Sequence, residues 1–312
     1  MNSTTTYSPG LSPVVIALRT IFYAIFALLI LSGNILSIAV TRRVTNIAES
    51  TKVLMTSMAV CDLIIGIASV LVVVVSALDR WPFGDVACQL AATLMEVVFS
   101  ILILSLTYLN IERYIAVTRP YQYLTWCTRR RAIAFVSIGS ILCAPYGPLA
   151  QVLFSISAEY YESSFFCFYG SSSICFDVLN LLCFDVIPTI LMSGIYYHLI
   201  KISRHHEQRL NQNGNNGADH HHGNKALKTF LVVTLTLAGC YTPWLLVRVV
   251  ESFNGELGPD WLKFSTSVLC TSNSIFNVWI YCLFNPSFRK VAITIVLERF
   301  PCRSRSVAPV VI

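Results

Sequence analysis

Charge is what this chain has least of. Only 22 of its 312 residues are Lys or Arg and 16 are Asp or Glu, 12% together, against about 25% in soluble domains. So thin a supply cannot cover the surface of a soluble protein this long, which excludes the one- or two-domain soluble reading that length alone suggests. Clustered metal ligands are missing too. His220-His221-His222 has no partnering cysteines and sits in an Asn/Gly/His-rich stretch, so no metal site is expected there. No His or Cys has a partner suited to catalysis, and there is no internal repeat, so neither an enzyme nor a cofactor protein is expected. The opening "MNSTTTYSPGLSP" lacks a basic n-region and a small-residue cleavage site, so no signal peptide is expected. Asn2 stands in a glycosylation sequon.

Apolar residues are abundant, at 55%, and they come in runs. A hydrocarbon core about 30 Å thick needs roughly 20 helical residues. Seven runs qualify: Val14–Val40, Val53–Ala77, Val86–Tyr108, Ala132–Phe154, Ile174–Ile200, Ala226–Val250 and Trp261–Leu283. Pro145, Pro148 and Pro188 interrupt the fourth and fifth. Neighbouring helices in a membrane bundle re-satisfy the backbone groups that proline frees, so these read as kinks. The basic residues alternate between gaps. Arg42, Arg43 and Lys52 flank the first, Arg119 and Arg129–Arg131 fill the third, and Lys201, Arg204, Arg209, Lys225 and Lys228 fill the fifth. Arg289, Lys290, Arg299, Arg303 and Arg305 follow the last run, whereas the other gaps hold Arg80, Lys263 or none. By the positive-inside rule the N-terminus is outside and the C-terminus inside, in a multi-pass plasma-membrane protein. The net charge of +6 is then a matter of topology and lipid headgroups, with no nucleic-acid partner.

These runs set out an all-α membrane protein, a seven-helix bundle spanning 14–284. An outside tail of residues 1–13 precedes it, and an amphipathic helix and tail over 285–312 follow it. Cys302 stands where an acyl chain can be attached. The segment 203–224 reads as a flexible inside loop. Asp62 falls near mid-membrane, where a charge costs at least about 2.5–3.5 kcal/mol. Asn34, Asn273, Ser274 and Asn277 are its polar company, forming either a packing network or an ion- or water-linked switch. From Cys88 to Arg113 is 25 residues, about 37 Å of helix, so a Cys88 at one membrane face puts Arg113 at the other. A disulfide from Cys88 to Cys167 would tie the outside loop to the third helix; Cys175 is the rival partner.

Several short motifs keep a fixed order along the chain. They are Gly33-Asn34, "AVCDL" at Ala59–Leu63, "WPFG" before Cys88, Glu112-Arg113-Tyr114, and Pro188 with Tyr196 eight residues on. "CYTP" at Cys240–Pro243 and "NSIFNVWIY" at Asn273–Tyr281 complete the set. With seven spans of the right sidedness, the chain resembles a rhodopsin-like (class A) G-protein-coupled receptor over nearly its whole length. The resemblance implies that Glu112 holds Arg113 at rest and that Arg113 turns to a heterotrimeric G protein when the sixth helix swings out. Tyr196, Asn277 and Tyr281 belong to that switch, and Pro188 and Pro243 kink their helices. Arginine suits the task because its planar, permanently charged fork can exchange partners.

Departures from the family pattern qualify the details. Val278 replaces the proline of the seventh-helix signature, and Tyr241 replaces the usual sixth-helix tryptophan. Leu102 replaces a serine that helps bind sodium, which weakens a sodium site at Asp62. Gly223 and Lys225 stand near where some relatives carry an acid that locks the arginine, so raised basal activity is expected. Met95 occupies the aspartate position of the aminergic subfamily, with Glu96 rotated about 100° from it. Asp185, Arg248 and Glu251 bring further charge. Phe99, Tyr241, Trp244, Phe264, Ser267 and Thr271 complete the expected pocket for a small molecule or short peptide, and Arg248 pairing with Glu251 is the competing internal role. Thr271 also stands where the opsins carry their retinal-linking lysine. A receptor that binds without signalling and a transporter or proton relay using Asp62, Glu96 and Asp185 are the rival readings.

Overall fold

The computed structural model describes residues 12–169, 173–212, 220–254 and 259–299, with 203–212, 220–228 and 230 described by backbone alone. Seven of its helical segments are long and apolar enough to cross a membrane. The first three spans are unbroken helices: α1 (Pro13–Arg43), α2 (Glu49–Leu78) and α3 (Gly84–Thr118). A short α4 (Pro120–Trp126) follows. The fourth span is split into α5 (Arg129–Cys143) and α6 (Tyr146–Phe154), with the break at Ala144-Pro145. The fifth begins as α7 (Ile174–Leu181), passes through a π turn at Leu182–Val186 and continues as α8 (Ile187–Gln212). Pro188 has no N–H to bond back to Phe184, and the ladder widens to i→i+5 just before it. The sixth span lies in α9 (His220–Asn254), which keeps Pro243 in its interior, and the seventh is α10 (Asp260–Phe284).

Helix ends follow the side chains available to cap them. Ser12, Thr128 and Ser173 accept from the backbone N–H of Val15, Arg131 and Phe176 and so start α1, α5 and α7. Asn285 accepts from the Phe288 N–H at 3.1 Å, turning the chain into α11 (Pro286–Arg299) with proline in the first turn. On α11, Phe288, Ala292 and Ile295 are buried at helical spacing, while Ile293, Val296 and Leu297 face outward. This is the helix expected after the last span. The helices run further than hydropathy alone marks: α3 extends ten residues past Tyr108, because backbone hydrogen bonding continues beyond the apolar stretch. Likewise α8 and α9 carry the backbone through 203–212 and from 220 on, inside the segment expected to be a loop. Asn2, Cys302 and the side chains of His220–His222, Gly223 and Lys225 lie outside what is described.

Two short strands add to the helices. β1 (Ala158–Tyr161) and β2 (Phe166–Tyr169) pair antiparallel, Tyr160 opposite Cys167. A disulfide from Cys88 to Cys167 staples this hairpin to the start of α3, and Cys175 is free. The main core runs between the helices through Leu54, Ile65, Val98, Leu102, Leu109, Val233 and Tyr281. Outward faces stay apolar, with Ile25, Leu28, Ile67, Ile138, Ile141 and Val152 all exposed. That pattern inverts a soluble protein and fits a lipid solvent. At the hairpin end, Arg19 on α1 bonds Ser76 Oγ at 2.9 Å and Asp79 Oδ1 at 2.7 Å, tying α1 to the end of α2.

Candidate functional site

Functional side chains gather at three depths along the bundle. At the hairpin end two cavities adjoin. The larger encloses about 630 Å³ including its mouth and is walled by Tyr23, Phe26, Met95, Phe99, Trp244, Ser267 and Thr271. Ser164, Phe166 and Phe168 of the hairpin cover it. The smaller, about 480 Å³, lies among α3, α7 and α9 and holds Glu96, Asp177, Asn180, Tyr241 and Arg248. Met95, Phe99, Phe168 and Trp244 border both, making one bilobed space.

The charges of the smaller lobe are unequally matched. Arg248 donates to the Tyr169 carbonyl, sits 5.0 Å from the Tyr161 ring and reaches Glu251 at 3.9 Å. Lys263 meets Glu251 at 2.9 Å. The internal Arg248–Glu251 contact is thus present beside the cavity. Asp177 accepts from Ser252. Among the described residues Glu96 accepts from Asn180 Nδ2 alone, at 3.5 Å, and Asn180 Oδ1 in turn takes the Tyr146 hydroxyl at 2.8 Å. Two expected pocket residues lie elsewhere. Phe264 packs edge-on to Tyr23, ring centres 6.2 Å apart, on the side of α10 that meets α1. Asp185 accepts from Thr242 at 2.9 Å, because the π turn around it re-aims its side chain toward α9.

At mid-depth Asp62 is wholly buried. Asn277 Nδ2 donates to its Oδ2 at 3.0 Å, and Asn34 Nδ2 donates to the Ser274 carbonyl at 2.9 Å. Among the described residues, Asp62 Oδ1, Asn273 Oδ1, Asn277 Oδ1 and the Tyr281 hydroxyl are buried without a hydrogen-bond partner. Leu102 is buried in the core. Val278 packs toward Gly33, whose added Cβ would lie 3.4 Å from it, and α10 passes through this position as continuous helix.

The opposite end carries the acid–base pair. Glu112 Oε1 accepts from Ser50 at 2.8 Å, Thr51 at 2.7 Å and the Tyr123 hydroxyl at 2.9 Å. Arg113 Nη2 donates to the same Thr51 hydroxyl at 2.6 Å. The Thr51 hydroxyl thus stands between the two, donating to Glu112 and accepting from Arg113. Tyr114 is half-buried beside them. Burial first, and then the Glu112 carboxylate, pushes the Tyr123 hydroxyl above its usual range, so it stays a donor. Slightly deeper, the Tyr196 hydroxyl bonds Asn110 Oδ1. Asn110 Nδ2 lies 3.1 Å from Thr234 Oγ1 and from Met192 Sδ, so α3, α8 and α9 meet in one buried polar knot.

Sequence reasoning missed Thr51, Ser50, Tyr123, Asn110 and Thr234, whose roles exist only once helices are side by side. It also missed Asp177 and Asn180, although two polar residues three apart in an apolar run mark one helix face. The hairpin rings Phe166 and Phe168 gave no such signal.

A family profile described as "7 transmembrane receptor (rhodopsin family)" matches residues 33–281. The chain is 28% identical to the QRFP-like peptide receptor of Branchiostoma floridae, covering 97% of this chain and 82% of that one. It is 26% identical to trace amine-associated receptor 8b of Rattus norvegicus, covering 94% and 89%. Over a shorter stretch, 44% of this chain and 31% of the relative, it is 32% identical to the gastrin/cholecystokinin type B receptor of Canis lupus familiaris.

Proposed function

Because the chain belongs to the rhodopsin family of seven-transmembrane receptors, we propose that it binds a small molecule or short peptide from outside the cell and activates a heterotrimeric G protein. Its relatives are named for peptide and for trace-amine ligands, which keeps both ligand sizes open. The N-terminus lies outside the plasma membrane, and the Arg113 end faces the cytoplasm. Ligand entering the bilobed space bears on Trp244 and Tyr241 of α9, and α9 swings outward at its far end. That movement separates Thr234 from Asn110, releases Tyr196 and lets Arg113 leave Thr51 for the G protein.

One observation carries this reading: α3 bears pocket wall at Met95 and Glu96 and, at its other end, the Glu112–Thr51–Arg113 chain. Nucleotide exchange on a panel of purified G proteins, with receptor in lipid nanodiscs and a ligand library, tests it. Exchange should appear with at least one ligand and fall to background in Arg113→Ala at equal receptor amounts. Transport of a solute without exchange would refute the proposal. The uninterrupted α10 at Val278 favours a second reading, a receptor that binds without signalling; ligand binding with no exchange on any G protein would support it.

A further inference from the structure

Of the acids that line the bilobed space, Glu96 is the one held least closely. It makes no ion pair within 4 Å among the described residues, and its one hydrogen bond, from Asn180, is long at 3.5 Å. The cation nearest in the lobe, Arg248, is drawn to the roof by the Tyr169 carbonyl, the Tyr161 ring and Glu251. A carboxylate in a low-dielectric cavity gains most from an opposite charge brought to it. Aromatic rings line the same lobe. Phe99 and Tyr241 lie 5.7 Å apart, Tyr241 and Trp244 5.9 Å, and Phe168 and Trp244 5.4 Å, between ring centres. Ring faces beside an acid are the setting that holds an ammonium or guanidinium. The larger lobe offers a mostly apolar bed of Tyr23, Phe26, Ile65 and Val72.

We propose that the ligand is a monocation with an apolar or aromatic body, and that Glu96, oriented by Asn180, holds its ammonium or guanidinium inside the Phe99–Tyr241–Trp244–Phe168 cage. The body then fills the lobe toward α1 and α2. This assignment rests on the reading of the bilobed space as the ligand site. It places the cation toward the fifth and sixth spans, one helical step round from Met95, so the charged end points away from the seventh span. Asp177, engaged by Ser252, adds negative potential to the same lobe without competing for the contact.

The probes are phenethylamine and its near-isosteres phenethyl alcohol and hydrocinnamate, which carry one positive, no and one negative charge on the same ring and a similar chain. Each is titrated against the full-length receptor in nanodiscs while the thermal unfolding midpoint is followed. Phenethylamine should raise the midpoint saturably, and the alcohol and the acid should leave it in place at equal concentration. Glu96→Gln, which keeps the shape and the Asn180 contact, should weaken the amine at least about tenfold, and Glu96→Asp should retain part of the effect. Stabilisation by the alcohol or the acid equal to that by the amine, an amine effect that survives Glu96→Gln, or no response to any probe overturns the proposal. Nucleotide exchange measured alongside separates the two claims. Amine binding with silent G proteins removes the signalling reading and leaves the cation site standing. Exchange driven by another ligand, with no amine effect, does the reverse.

Discussion

Thr51 shows how much a single hydroxyl can carry. It donates to Glu112 and accepts from Arg113, so it passes negative potential from the acid to the base while leaving both charges intact. A hydrogen bond to a charged group contributes about 1.5–3 kcal/mol, enough to bias a two-state switch. Thr51→Val keeps the shape and removes the bridge. Basal nucleotide exchange should rise severalfold at equal receptor level, and an unchanged baseline would refute the bridging role. At Asp62 the Asn277 amide donates at 3.0 Å, and the side chain is wholly buried. Asn277→Ala should lower stability by about 1–3 kcal/mol, read as a fall in the unfolding midpoint in nanodiscs. The importance of Glu112, Arg113 and Asp62 was legible from charge in apolar surroundings. Their partners were not, since Thr51 and Tyr123 lie 62 and 11 residues from the groups they serve and nothing local marks them.

Among the elements, α3, α8 and α9 are joined by one buried polar knot. Tyr196, Asn110 and Thr234 are all buried there, and their hydrogen bonds hold α9 against α3. Asn110→Ala removes the group that bonds both Tyr196 and Thr234 and loosens α9. Receptor so altered should show raised exchange without ligand together with a lower unfolding midpoint; a raised midpoint would show that the knot does not restrain the resting state. The spans themselves were legible because hydropathy reports directly on lipid contact. Their ends were less so. The backbone continues helical past the apolar limit in α3 and into the 203–212 segment, where hydrogen-bond propagation and capping decide. The break at Ala144-Pro145 and the π turn before Pro188 fall where proline placed them, yet proline alone did not say which distortion each would give. That choice turned Asp185 to Thr242.

For the molecule as a whole, the disulfide from Cys88 to Cys167 closes a loop of 79 residues and seats the hairpin over the bilobed space. Removing such a link costs roughly 2–5 kcal/mol. Cys167→Ser should lower the unfolding midpoint and weaken binding of any occupant held by Phe166 and Phe168; a variant that binds as tightly as the parent would show that the hairpin is no lid. The sequence by itself determined the seven crossings, the helix that follows them and the acid–base pair at the end of the third span. Each of these rests on local composition or on spacing along one helix, which a linear chain fixes. The tertiary structure alone decided which pocket charge stays unmatched, that a threonine joins Glu112 to Arg113, and that a β-hairpin roofs the cavity. Those depend on distances between segments far apart in the chain, and such distances exist only once the helices have packed.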